Sequence, residues 1–252
     1  MSGRMDAIGY MDRAAALDDA RAYKLRLLDA LDVRRRHTVL DVGCGPGTDL
    51  LDLAATGAEW VIGLDADPLM VAEARNRTEE YPAIAVHLGD ARRMPVADGM
   101  VDRARVDRVL HYVPDPEAVF AELRRVVKDD GVVVVAQPDW DTITVDPGDV
   151  RTNRKVREFV CDQVVANATV GRRVARLAED AGFTVDPRIT TPVFRDFAVA
   201  DDILGLSRNA DRAVRAGQLD ADEAARWLHD LQRQRFLATF MLFTAVLRPG
   251  SR

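Results

Sequence analysis

The 252 residues are 48% hydrophobic and 30% charged, enough for a full core and unlike a disordered chain. A formal net charge of −6 argues against nucleic acid as the main partner, because phosphate backbones are held by basic surfaces. Two distant cysteines, Cys44 and Cys161, disfavour a disulfide framework and a zinc site, and no metal is expected.

No apolar run approaches the roughly 20 residues that span a bilayer, and residues 1–10 lack the apolar core of a signal peptide. A cytoplasmic protein with no membrane partner is therefore expected. Leu17, Leu25, Leu28 and Leu31 recur at helical spacing and predict a helix over 11–33. Strands are expected at 38–42, 60–65, 84–88, 101–106 and 132–136, alternating with helices at 48–55, 68–78 and 116–127. Such alternation implies an α/β fold, a doubly wound and mostly parallel sheet with helices on both faces. Beyond Trp140 the pattern changes. Helices are expected at 150–166, 171–181, 200–215 and 221–235, with strands at 183–197, broken at Pro187 or Pro192, and at 240–247. With no repeat and no linker, residues 1–252 read as a single domain: a helical cap at 1–36, a core at 37–140, and a C-terminal half whose helices at about 200–235 are candidates for a lid.

The most informative stretch is Asp41-Val42-Gly43-Cys44-Gly45-Pro46-Gly47, just after the first strand. Glycines there let main chain approach a ligand closely. Gly47 follows Gly45 by two residues, where a dinucleotide fingerprint places its last glycine three residues on. The tighter loop suits a ligand without a pyrophosphate. About 20 residues later the second strand ends in Asp65, where a carboxylate can accept from both ribose hydroxyls of an adenosine.

Four ordered segments, the loop 41–47, Asp65, Gly89-Asp90-Ala91 and Val109-Leu110-His111-Tyr112-Val113-Pro114-Asp115, resemble the class I S-adenosylmethionine-dependent methyltransferases. The likeness runs from about Val39 to Trp140. It implies a Rossmann-like seven-stranded sheet and S-adenosylmethionine as cofactor. By the same resemblance Gly43, Cys44 and Gly45 meet the methionine part, and Asp41 holds the loop or reaches the amino group through water. Asp65 binds the ribose, with Ala66 and Met70 beside the adenosine. Asp90 accepts from the adenine amino group between Ala91 and Arg92, and the backbone at Asp107 and Arg108 meets the methionine end.

The expected activity is methyl transfer to a small-molecule acceptor, with an oxygen of a natural-product-like compound favoured. His111 is the candidate base: it follows the fourth strand at the ligand edge, and its ordinary pKa suits proton transfer. Local packing or hydrogen bonding is the alternative role, since histidine is common there in the family. The other histidines, His37, His87 and His229, read as structural or solvated. Gln137, where similar sequences often carry glutamate, and Trp140 are the candidate substrate contacts. Asp139 and Asp141 make no obvious metal-binding cluster. Leu204, Leu206, Phe236 and Met241 form either a pocket wall or the underside of packed helices. The same fold could also hold the cofactor while catalysing a cyclisation or rearrangement, since function lives in sites and not folds. A homodimer is left open.

Overall fold

A computed structural model describes residues 2–250. The outermost residues of the expected domain, Met1, Ser251 and Arg252, lie outside the described residues. Among the described residues eight strands form one sheet: β1 (Thr38–Val42), β2 (Trp60–Asp65), β3 (Ile84–Leu88), β4 (Val101–Asp107), β5 (Val127–Asp146), β6 (Phe183–Thr190), β7 (Val193–Phe194) and β8 (Leu237–Pro249). Their order is β3-β2-β1-β4-β5-β8-β6, with β7 added to β8. Strands β1 to β5 pair in parallel, whereas β8 runs antiparallel to its neighbours. The chain winds outward from β1 through β2 to β3, then crosses back to β4 and β5. The sheet therefore reverses direction between β1 and β4, and a crevice at the carboxyl ends of those strands is where an open α/β sheet binds ligands.

Strand periodicity decides which helices cover which face. Leu40, Ala104, Val106, Val133 and Val135 point to one layer, where α5 (Pro116–Val126) and α7 (Val170–Asp180) contribute Phe120, Leu123, Val174 and Leu177. Val39, Val61, Val134 and Ala136 point to the other, against α2 (Asp18–Leu31), α3 (Leu50–Ala55) and α4 (Pro68–Arg77). Two helix starts follow from capping: Asp67 accepts from Leu69 and Asp115 from Ala118, each followed by a proline in the first turn. A third core gathers Phe159, Leu204, Trp227 and Leu231 from α6 (Val150–Phe159), α8 (Phe197–Leu204) and α10 (Ala221–Arg233), beside α9 (Leu206–Arg215).

Several boundaries differ from the sequence expectations. The helix expected over 11–33 is two, α1 (Ser2–Ala16) and α2, because Leu17 adopts an extended conformation. The helix expected over 200–215 is broken at Gly205, whose φ of +64° ends α8 in a left-handed cap. The helix expected to reach 166 stops at Phe159 and passes into a wide π-type turn, Val160–Val164. Pro187 does not break β6, since β6 is an edge strand where a missing N–H is tolerated; the interruption falls at Pro192. Strands β5 and β8 both extend well past their expected apolar runs and pair with each other along most of their length.

Candidate active site

One cavity of about 530 Å³ opens at the β1/β4 crossover, within the range of roughly 300–1,000 Å³ usual for small-molecule sites. Its first end is built by the loop after β1 and the acid after β2. Gly43 has φ +72°, and a Cβ there would lie 2.3 Å from a Val109 methyl, so the loop packs on the β4 turn only as glycine. Asp65 clamps the loop: its Oδ2 accepts from Gly45 N at 2.9 Å and its Oδ1 from Asp67 N at 2.9 Å. Each carboxylate oxygen has further lone-pair capacity for hydroxyl donors. Ala66, Met70, Asp90, Ala91 and Arg92 line the same end. The backbone N and guanidinium of Arg92 hold the Asp90 carboxylate, keeping its pKa below the ordinary range.

The floor is a buried ion cluster. Arg105, central in β4 and in register with Asp41 of β1, lies within 3.6 Å of Asp41 and 3.2 Å of Asp107, and bonds Asp49 closely. Lys24 reaches Asp49 at 2.8 Å, and the Tyr23 hydroxyl donates to Asp107 at 3.2 Å. Burial pushes Asp41 up to about 6 despite Arg105. Asp49 is held below the usual carboxylate range by Arg105 and Lys24, which outweigh its burial. Sequence reasoning placed Asp41 and Asp107 here but missed Lys24, Asp49 and Arg105. The available signal was an arginine inside an otherwise apolar central strand, which needs buried acids beside it. Cys44 also lines this region as a buried thiol whose pKa burial pushes up.

Arg108 turns out of β4 with φ +57°, a left-handed conformation that costs a non-glycine residue about 1–2 kcal/mol. Its N–H donates to Ala136 O at 2.8 Å, which anchors the strained turn. Its side chain joins the cavity lining.

The second end is aromatic and apolar, with Tyr10, Tyr112, Trp140, Ile203, Leu204 and Phe240 in its walls. His111 lies in a single 3-10 turn, Leu110–Tyr112, 2% exposed, its ring 4.0 Å from that of Tyr112 and 5.9 Å from Trp140. Burial lowers its pKa to about 4 against the opposing hydrogen bond to Gln137, so the ring is neutral near pH 7 but lacks the ordinary pKa expected from the sequence. Gln137, expected to touch substrate, is instead fully buried behind His111 and does not line the cavity. Its side chain replaces solvent for neighbouring polar groups: Oε1 accepts from Leu110 N at 3.1 Å and sits 3.4 Å from His111 Nδ1. A proton on Nδ1 directed at Oε1 leaves the Nε2 lone pair free. Trp140 does line the cavity. Asp139 and Asp141 are not on a loop but within β5, both tied to Arg172 of α7.

Two elements are stitched over the mouth. From α1, Tyr10, Met11, Ala14 and Ala15 face the cavity, while Asp12 pairs with Arg77 at 2.8 Å. Arg13 makes a two-point contact with Asp202 of α8, and Tyr10 donates to Ile203 O at 3.1 Å. Of the expected lid helices only the end of α8 reaches the cavity. Leu206 and Phe236 belong to the third core, and Met241 is exposed.

A parallel sheet with a ligand cavity at its reversal point, a glycine loop and a clamped ribose-type acid define a Rossmann-like nucleoside-binding enzyme fold. The methyltransferase domain family matches residues 40–135. The chain is 46% identical over 255 residues to an uncharacterized 37.1 kDa transposon-borne protein of Streptomyces fradiae, covering 98% of this chain and 74% of that one. It is 37% identical over 123 residues to a demethylmenaquinone methyltransferase of Beutenbergia cavernae, covering 48% of this chain and 50% of that one. A solved putative methyltransferase from Bacillus halodurans superposes with a TM-score of 0.66 at 17% identity, covering 90% of this chain and 98% of that one. Through residues 40–135 the chain belongs with the methyltransferases, and its fold is the class I methyltransferase fold of these solved neighbours. It spans about half the length of its named methyltransferase relatives. Among the described residues no helix is long and apolar enough to cross a membrane.

Proposed function

We propose that this chain methylates an oxygen atom of a small, largely apolar acceptor of the natural-product kind. The observation that carries the reading is the continuity of the cavity, which joins the Asp65–Asp90 end to an aromatic end floored by His111. Asp65 would take the ribose hydroxyls beside Ala66 and Met70, and Asp90 the adenine amino group beside Ala91 and Arg92. Main chain at Gly43, Cys44, Gly45, Asp107 and Arg108, with Asp41 beneath, would meet the methionine part. The closeness of Gly43 to Val109 and the clamped carboxylate of Asp65 support this fit.

Bound S-adenosylmethionine supplies an electrophilic methyl group on a sulfonium, so much of the protein's contribution is alignment of the acceptor. His111 Nε2 would take the proton that the acceptor oxygen gives up on methylation, while Asp65, Asp90 and the loop at Gly43–Gly45 would hold the methyl donor in place. Gln137 acts as a positioning residue that sets the tautomer of His111. Trp140 and Phe240 offer flat apolar walls, and α1 with the end of α8 excludes water from the acceptor.

The test is to incubate the protein with S-adenosylmethionine and a panel of hydroxylated small molecules, following S-adenosylhomocysteine. His111→Asn should lower turnover by about 10²–10⁴-fold while affinity for S-adenosylhomocysteine stays within about threefold. Unchanged turnover removes the base role. Conversion of an acceptor without S-adenosylhomocysteine release would favour cyclisation or rearrangement instead.

A further inference from the structure

Among the described residues four cations line the cavity: Lys24, Arg92, Arg105 and Arg108. Three are hydrogen-bonded to carboxylates. Lys24 is held by Asp49, Arg105 by Asp49 and Asp107, and Arg92 by Asp90. Arg108 differs. Its nearest acid is Asp107, at 3.7 Å from Nε, beyond hydrogen-bond reach, and Asp107 is already shared between Arg105 and the Tyr23 hydroxyl. Among the described residues the guanidinium has no hydrogen-bonded partner, although a guanidinium carries five N–H donors in a fork shaped for two oxygens. Its side chain is about two-thirds buried, so water supplies only part of that demand.

The placement of Arg108 separates it from the other three. It stands in the left-handed turn between β4 and the His111 turn, and its charge acts on Tyr10 and Tyr112, both in the aromatic walls. A strained turn that carries a cation with no hydrogen-bonded partner, and only a loose ion pair to Asp107, into the cavity wall costs stability unless a ligand uses it. The geometry points to an acceptor that is an acid: an aromatic or otherwise flat apolar molecule whose carboxylate or acidic enol oxygen pairs with Arg108. This inference rests on the methyltransferase reading above and narrows its substrate class. Arg108 would then set specificity by charge. A neutral analogue leaves the guanidinium buried and unpaired, which is the kind of discrimination that polar sites achieve best. If the paired oxygen is itself the methyl acceptor, the cation favours the ionised nucleophile and lessens what is asked of His111.

The experiment titrates the protein, saturated with S-adenosylhomocysteine, with matched pairs of probes: benzoate and benzamide, 2-naphthoate and 2-naphthamide. Wild type should bind each acid at least about tenfold more tightly than its amide. In Arg108→Gln the preference should fall to within about twofold, and Arg108→Lys should keep part of it. Arg108→Gln is titrated with S-adenosylhomocysteine as well, and an unchanged melting temperature is the folding control. Equal binding of acid and amide to wild type, or binding of neither, overturns the inference while leaving the methyltransferase reading intact. A loss of more than about tenfold in S-adenosylhomocysteine affinity also overturns it, because the guanidinium then holds the amino-acid tail of the cofactor. Failure of wild type to bind S-adenosylhomocysteine at all defeats the underlying reading instead.

Discussion

His111→Asn should change how stability depends on pH, independently of any effect on turnover. Burial moves the His111 pKa from 6.5 to about 4, so the folded protein keeps the ring neutral where the unfolded chain protonates it. Above pH 6.5 the difference costs nothing. As pH falls below 6.5 the unfolded state binds the extra proton, and stability is lost until the folded ring also titrates near 4. From about pH 7.5 to about pH 5 that loss is about 2 kcal/mol. The wild-type curve alone would hide it. Asp41, pushed up to about 6, is destabilising when ionised, and stability returns as pH falls through the same window. Comparing wild type with His111→Asn removes the Asp41 contribution, which both proteins share, and cancels any fixed cost of the substitution. Asparagine also offers an N–H that can reach the acceptor on Gln137. Thermal unfolding at the two pH values should show wild type losing about 4–8 °C more than the variant on acidification. Parallel pH dependence in the two proteins would refute the claim that His111 is held neutral by burial.

Two further substitutions test the frame of the site. Arg105→Met leaves Asp41 without its cation while Asp49 keeps Lys24, and should cost about 3–5 kcal/mol near neutral pH. The deficit should narrow toward about pH 5.5, where Asp41 takes up a proton; a constant deficit in denaturant titrations would contradict the cluster as described. Gly43→Ala places a Cβ 2.3 Å from Val109 in a left-handed backbone position, so it should lower stability by about 1–2 kcal/mol. The same change should weaken S-adenosylhomocysteine at least about tenfold by calorimetry, and unaltered affinity would show that the loop does not approach the ligand.

What the sequence reveals and what it hides follow from the range of the interactions concerned. The parallel strands are legible because burial on both faces demands continuous apolar runs such as Val132–Ala136, and the glycine loop because its constraint is local. Helix breaks at Leu17 and Gly205 are not, since both fall within stretches whose apolar spacing continues across them. The ion cluster is hidden for another reason. Lys24, Asp41, Asp49 and the β4 pair Arg105 and Asp107 come from four separate segments and meet only when β4 docks beside β1. Gln137 shows the limit of edge-based reasoning. It follows a strand at the ligand edge, yet β5 continues through it, and the side chain lies beneath the His111 turn rather than in the cavity. Arg108 carries a similar lesson, because nothing in the sequence indicates that its backbone turns left-handed at the strand end.

The central claim is that the loop at Gly43 and the clamped Asp65 hold S-adenosylmethionine, and calorimetric titration of wild type and Asp65→Ala tests it most directly. Wild type should bind S-adenosylmethionine and S-adenosylhomocysteine saturably. Loss of two charge-assisted hydrogen bonds in Asp65→Ala should weaken both by about 100-fold or more. A folded wild-type protein that binds neither at millimolar concentration, or an Asp65→Ala variant that binds both as well as wild type, would contradict the account.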